Sequence, residues 1–176
     1  MSLDGGGIHP NSSFTVTARP IQIISSGIIR VDNGNSFTVP TVISGAGAIL
    51  KKEGQGILNL TIANSYSGGT EISDGIVSVA ADDHLGTGGI ILDGGTLATT
   101  MTFPTLKNFS ITDASAISPG TGATLKINGV ISSTGGSLSK SGSGTLEFNQ
   151  VNTYTIPTFI DSGTLLLSGT GTLGNG

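Results

Sequence analysis

Residues 50–88, LKKEGQGILNLTIANSYSGGTEISDGIVSVAADDHLGTG, return without a gap at residues 138–176 as LSKSGSGTLEFNQVNTYTIPTFIDSGTLLLSGTGTLGNG. Lys52 falls on Lys140, Gly54 and Gly56 on Gly142 and Gly144, Leu58 on Leu146, Asn64 and Tyr66 on Asn152 and Tyr154. Thr70 then falls on Thr158, Ile72 on Ile160, Gly75 on Gly163, and Leu85-Gly86 on Leu173-Gly174. About 13 of 39 positions are identical at one offset of 88 residues, which marks a repeat array. The register extends backwards, with Phe37 and Val39 meeting Leu125 and Ile127, and Val42 and Ile43 meeting Val130 and Ile131. Asp4-Gly5-Gly6 matches Asp93-Gly94-Gly95 at one residue more, as a single insertion in a surface loop would produce. The expected organisation is one continuous domain of two long units. These are 1–92, with its core motif at 50–88, and 93–176, with its core motif at 138–176.

A chain of 176 residues is long enough to bury a sizeable core, but 29 Gly, no Cys, no Trp and 10% charged residues are unusual for a compact globule. Every short apolar run is cut by Gly, Ser, Asn or Thr, so nothing approaches the roughly 18 apolar residues of a spanning helix, and membrane insertion is not expected. Flexible linkers lack the Ile, Leu and Val that recur here in strand-sized groups. A net charge of −4 with seven scattered Lys and Arg argues against a nucleic-acid partner, because phosphates call for clustered cations. Without Cys there are no disulfides and no thiolate metal sites. Met1-Ser2-Leu3-Asp4 has neither the basic start nor the apolar stretch of a secretory signal. The second copy stops just after Leu173-Gly174, where the first runs on into Ile90-Ile91-Leu92, so a piece of a longer array is expected.

Phe14–Thr17, Ile21–Ile24, Ile28–Val31, Ser36–Val39, Ala48–Lys51, Ile57–Ile62, Glu71–Ser73 and Ile76–Val79 read as strands, rich in β-branched or aromatic residues and bounded by Gly, Pro and Ser. The rhythm resumes at Ile90–Leu92, Thr96–Ala98, Leu106, Phe109–Thr112, Thr124–Ile127, Ser137–Lys140, Thr145–Phe148 and Thr164–Leu167. Helical spacing of apolar residues is nowhere sustained for three turns, so the chain is all-β. A sandwich has no reason to copy itself at a fixed period, whereas a solenoid stacks coils that bury their apolar faces only against neighbours. The expectation is about 7–8 coils of three short strands, about four coils per 88-residue unit. Leu58, Leu60, Ile72, Val77 and Val79, with Leu146, Phe148, Ile160, Leu165 and Leu167, have the period of two that points them inward. Asn59, Glu71, Ser73, Ser78, Glu147 and Asp161 then point outward, and Leu166 breaks the pattern.

The run Gly54-x-Gly56-Ile57-Leu58-x-Leu60, then Asn64-Ser65-Tyr66-Ser67-Gly68-Gly69-Thr70-x-Ile72-x-x-Gly75-x-Val77, resembles the autotransporter-associated β-strand repeat of bacterial type V secreted proteins. The second copy keeps Asn152-Thr153-Tyr154 but has Thr155-Ile156-Pro157-Thr158 where that family has Ser-Gly-x-Thr, and Pro157, lacking a ladder donor, should reshape its corner. The resemblance implies a right-handed parallel β-helix in a passenger exported through a C-terminal outer-membrane barrel, hence a secreted or cell-surface location. Passengers of this family carry adhesive, haemagglutinating or enzymatic portions linked to virulence, and their repeat-rich stretches serve as stalk. The function so implied is a non-catalytic stalk that takes part in adhesion, with the rest of the passenger and the barrel as its partners and a host-cell surface or glycan beyond them. A self-standing host-surface or carbohydrate-binding adhesin module, and a β-helical polysaccharide-active enzyme, stay open as alternatives.

Asp82-Asp83-His84 is the densest cluster of ligand or acid–base groups, but it precedes Leu85-Gly86 at a corner and is Thr170-Gly171-Thr172 in the second copy. Asp74, Asp93 and Asp161 each lie within two residues of Gly, which is turn chemistry. A lyase or hydrolase would need carboxylates beside a cation on one face, and Arg19, Arg30, Lys51, Lys52, Lys107, Lys126 and Lys140 do not lie near such groups in sequence. Gly5-Gly6-Gly7 and Gly88-Gly89 lead to no calcium-binding nonapeptide run. The Thr pieces at 15–17, 100–102 and 170–172 are not one coil apart. No catalytic, cofactor or metal residue is therefore assigned. The singled-out positions are structural: Gly54, Gly56, Leu58, Asn64, Tyr66, Thr70 and Gly75, with Gly142, Gly144, Leu146, Asn152, Tyr154, Thr158 and Gly163. At them Asn is expected to bond neighbouring coils through its amide, and Tyr to pack against a corner.

Overall fold

Apolar residues at every second position, cut every few residues by Gly, Ser or Asn, give strands too short to form a core alone. They bury their inner side chains by stacking coil on coil. The computed structural model describes residues 1–15 and 19–174, so the strand expected at 14–17 and the Thr piece at 15–17 lie partly outside the described residues.

The first coil holds β1 (Ser2–Leu3), β2 (Gly7–Ile8) and β3 (Phe14–Thr15), and the second β4 (Ile21–Ile23), β5 (Ser26–Arg30) and β6 (Ser36–Val39). The third holds β7 (Ile43–Gly45), β8 (Ile49–Glu53) and β9 (Ile57–Leu60), and the fourth β10 (Ser65–Tyr66), β11 (Gly69–Ile72) and β12 (Ile76–Val79). A 3-10 turn, Asp82–Leu85, opens the fifth coil before β13 (Ile90–Asp93) and β14 (Thr96–Thr99). The sixth holds β15 (Phe103–Thr105), β16 (Phe109–Asp113) and β17 (Ser115–Pro119), and the seventh β18 (Thr124–Ile127), β19 (Ile131–Ser133) and β20 (Leu138–Lys140). β21 (Thr145–Phe148) and β22 (Thr158–Ile160) belong to the eighth, and β23 (Thr164–Leu167) lies over β21.

Every strand pairing among the described residues is parallel, and together they make a β-solenoid of about eight coils, roughly 35–40 Å long at about 4.8 Å per coil. On the first face, β1, β4, β7 and β10 form one sheet and β15, β18, β21 and β23 another, with the 3-10 turn between them in chain order. The second face is the seven-stranded sheet from β2 to β19, and the third the eight-stranded sheet from β3 to β22.

Register shows where the second copy sits. Up the second face Leu50 pairs with Thr70, Thr70 with Ile90, Ile90 with Phe109 and Phe109 with Ile131, so coils advance by 19 to 22 residues. Leu138, the counterpart of Leu50, lies beyond Ile131 on the third face, paired with Ser115. The offset of 88 residues therefore spans four coils and one face more, where four coils alone were expected. Each strand of the second copy is rotated one face from its counterpart: β8 on the second face corresponds to β20 on the third, and β9 on the third to β21 on the first.

Leu58, Leu60, Ile72, Val77, Val79, Leu146 and Phe148 point inward and are buried. Leu166 pairs with Glu147 on the outer side, so the expected register holds and the side chain is an exposed apolar spot. Ile160 and Leu167 have inward partners, Lys140 and Phe148, yet are 57% and 44% exposed because no coil lies above them. Leu106, expected within the strand rhythm, is 81% exposed beside β15 rather than in a strand. In the eighth coil the segment around Asn152–Pro157 forms no strand, so β10 has no counterpart where Pro157 replaces the Gly of the first copy.

Candidate functional site

Lys-x-Gly-x-Gly at 52–56 and at 140–144 folds a corner around a buried ammonium. Alternation in β8 and β20 turns Lys52 and Lys140 inward, and both are fully buried. Lys52 Nζ donates to the carbonyl oxygens of Glu53 at 2.8 Å, of Gly54, and of Asp74 on the next coil at 3.2 Å. Lys140 Nζ donates to those of Ser141 at 2.6 Å, Gly142 at 2.8 Å and Ser162 at 2.9 Å. An ammonium has three donors and no acceptor, so each cage matches it. Burial pushes Lys52 down to about 8 and lowers Lys140 as well, because the charged form gives up its hydration. Positive φ at Gly54 and Gly142, 72° and 69°, turns the chain so that their carbonyls reach the ammonium. One coil on, a Cβ at Gly75 would collide with the Gly54 and Gly56 oxygens, and one at Gly163 with those of Gly142 and Gly144.

Asn64 and Asn152 span three coils. Asn64 Oδ1 accepts the Ile43 N–H of the coil below at 2.7 Å, and Nδ2 donates to the carbonyls of His84 above at 2.6 Å and Ile62 at 3.2 Å. Asn152 Oδ1 accepts the Ile131 N–H at 2.9 Å, and Nδ2 donates to the Thr172 carbonyl at 2.7 Å. Tyr66 and Tyr154 are buried, with hydroxyls bonded to the Thr70 and Thr158 hydroxyls at 2.7 and 3.0 Å. Burial raises the Tyr66 phenol pKa, and the Thr70 bond opposes the rise only in part. Gly54, Gly56, Leu58, Asn64, Tyr66, Thr70 and Gly75 thus lie along consecutive coils of the first copy. Gly142, Gly144, Leu146, Asn152, Tyr154, Thr158 and Gly163 lie one face round in the second.

The Asp82-Asp83-His84 cluster is the 3-10 turn on the first face. Stacking brings Lys107 from the next coil to Asp82, Nζ to Oδ2 at 2.9 Å, an ion pair that sequence distance conceals. His84 Nδ1 lies 2.8 Å from the Leu60 carbonyl, and Asp83 points to solvent beside an open recess of about 480 Å³ lined with Gly86, Thr87, Leu106 and Asn108. Asp74 caps its own turn, Oδ1 accepting the Gly75 N–H at 2.7 Å. Sequence reasoning noted the Lys52–Lys140 identity without a role for it. The available signal was parity: in each strand the lysine falls on the same side as a buried leucine.

Two stretches, residues 50–79 and 138–167, match the family described as the passenger-associated transport repeat. The chain is 41% identical over 167 residues to the protein named adhesin BmaC autotransporter of Brucella suis biovar 1 (strain 1330), a match covering 89% of this chain. It spans 5% of that relative's length. No solved structure matches it. The corners built on Lys52 and Lys140 open the two matched stretches, and the chain carries two copies of the passenger-associated transport repeat, an autotransporter passenger repeat.

Proposed function

We propose that the chain is a non-catalytic, rod-like stalk segment of a secreted autotransporter passenger, displayed at the cell surface, that contributes to adhesion. The observation that carries this reading is where the repeat's polar side chains are spent. Lys52, Lys140, Asn64, Asn152, Tyr66 and Tyr154 all turn into coil-to-coil or corner bonds, leaving none of them for a substrate. The name of the Brucella relative adds the adhesive role. The rest of the passenger and a C-terminal outer-membrane barrel are the partners this reading requires, with a host surface or glycan at the far end. Parallel stacking also suits export: each coil that folds outside buries apolar surface and opposes back-sliding without any nucleotide. Units 1–92 and 93–176 are then two modules of one rod, and the fourteen repeat positions are its structural joints.

The test is binding of the purified chain to host cells and to a glycan panel, beside its heat-unfolded form, with the same glycans assayed for cleavage. Saturable binding by the folded chain alone, with every glycan intact, is expected. Release of shortened glycan would overturn the non-catalytic reading, and equal binding by both forms would remove the adhesive part.

A further inference from the structure

Among the described residues, the outer side of the third face carries no charged residue across its eight strands. One row up that face is Thr38, Asn59, Ser78, Ala98 and Ser118. The row beside it is Ile57, Ile76, Thr96, Ala116, Ser139 and Phe159. The second face differs, with Lys51 paired to Glu71 at 2.9 Å and Arg30 beside Glu53. Asp32, Asp74, Asp93 and Asp113 stand at the corner leading into the third face, just ahead of its strands, and edge the face without entering it.

This neutrality is not inherited from the repeat. Arg30, Lys51 and Glu71 on the second face correspond, 88 residues on, to Ser118, Ser139 and Phe159, which the one-face rotation carries onto the third. Thr38 and Asn59 on the third face correspond to Lys126 and Glu147, which the rotation carries onto the first, where they pair at 2.8 Å. Charge is absent where the rotation would bring it to the third face and present where the rotation takes a position off it. A face with no task beyond stacking would keep the repeat's charges wherever rotation put them.

We propose that the third face docks against the same face of a second copy, so that two rods lie side by side. Copies of net charge −4 repel, and a face without ions lets them meet with no charge to desolvate. A two-fold axis makes one such face its own complement, with Ile57, Ile76, Ala98 and Ala116 giving apolar contact and the hydroxyl and amide groups giving hydrogen bonds. Eight strands at about 4.8 Å, each presenting about 13 Å of outer surface, bury roughly 500 Å² a side and about 1,000 Å² in all, the lower edge of a specific interface. A pair of this length is therefore weak and reversible, and gains strength wherever the uncharged strip runs longer.

Sedimentation velocity over a roughly hundredfold concentration range tests the pairing. The intact chain is compared with Thr38→Lys/Ser118→Arg, whose new residues the protein already carries at the equivalent positions of the other copy, Lys126 and Arg30. Gln22→Lys/Ser110→Lys, on the first and second faces, adds the same charge as control. A reversible dimer of lower frictional ratio than the monomer is expected, weakened at least tenfold by the third-face pair and less than twofold by the control. That asymmetry would oppose the general trend, since both pairs reduce the net charge. Ala98→Glu is the second variant, expected to weaken the dimer by a similar factor, and melting curves establish that each variant folds. A chain monomeric throughout, a dimer weakened equally by both pairs, or an elongated end-to-end dimer would each overturn the proposal. So would a neutral oligosaccharide that binds the monomer and is lost in the third-face variants.

Discussion

Lys52 and Lys140 are the residues on which the corners depend most. Lys52→Ala would leave the Gly54 and Asp74 carbonyls without a donor and the Glu53 carbonyl with the Val31 N–H alone, at about 1–3 kcal/mol for each stranded group before relaxation and water entry, so a loss of about 2 kcal/mol or more is expected in urea denaturation. Asn64→Ala strands the Ile43 N–H and the His84 carbonyl, for an expected loss of about 2–4 kcal/mol. Wild-type stability in either variant would show that the cage or bridge is idle. The lysines also set a pH dependence. Lys52 titrates at about 8 when folded and at 10.5 in its ordinary state, so between these the unfolded chain binds more protons and stability rises with pH. Above about 10 the unfolded chain loses the tyrosine proton that folded Tyr66 keeps, and stability falls again. Melting temperature should pass through a maximum between pH 8 and 10.5, with a flatter rise in Lys52→Met; a steady decline from pH 7 would contradict the cage's energetics. These lysines and asparagines were legible as repeated letters. Their bonding was not, because Asp74, Ser162, His84 and Thr172 lie a coil away and nothing local in the sequence points to them.

Among the elements, strands that carry their own apolar alternation, such as β6, β9, β12, β18 and β21, were legible within a residue or two. β7, β10, β15, β17 and β19 were not, since segments of two to five residues with Ser, Gly or Pro become strands only because neighbouring coils supply the ladder. Corners obey the same logic. Gly75→Ala is expected to cost more than about 2 kcal/mol, combining φ of 64° with a collision against two carbonyls of the coil below. Gly122→Ala has φ of 73° but open space, so its cost should stay near about 1 kcal/mol, and equal losses in thermal melting would mean that close approach adds nothing.

Over the whole molecule, each coil touches only its neighbours, so the cost of a substitution depends on its place along the rod. Leu58→Asp puts an unpaired charge between two coils and should expose the middle of the chain to protease, whereas Leu167→Asp at the open end should leave the lower coils protected. Identical cleavage patterns for the two would rule out a stacked solenoid. The solenoid itself was legible from the fixed offset. The rotation of its copies was not, because it depends on coils averaging nearer 20 residues than 22, a difference that accumulates to one face over four coils. That rotation bears on how the rod resists force. A repeat of four whole coils would line up every caged corner in a single seam, and the rod would bend most easily in one plane. A repeat that advances one face each time winds its joints around the axis like a screw thread. With its two cages on different edges, the rod keeps a caged joint off any single plane of bending, so no one plane contains all of its stiffest corners.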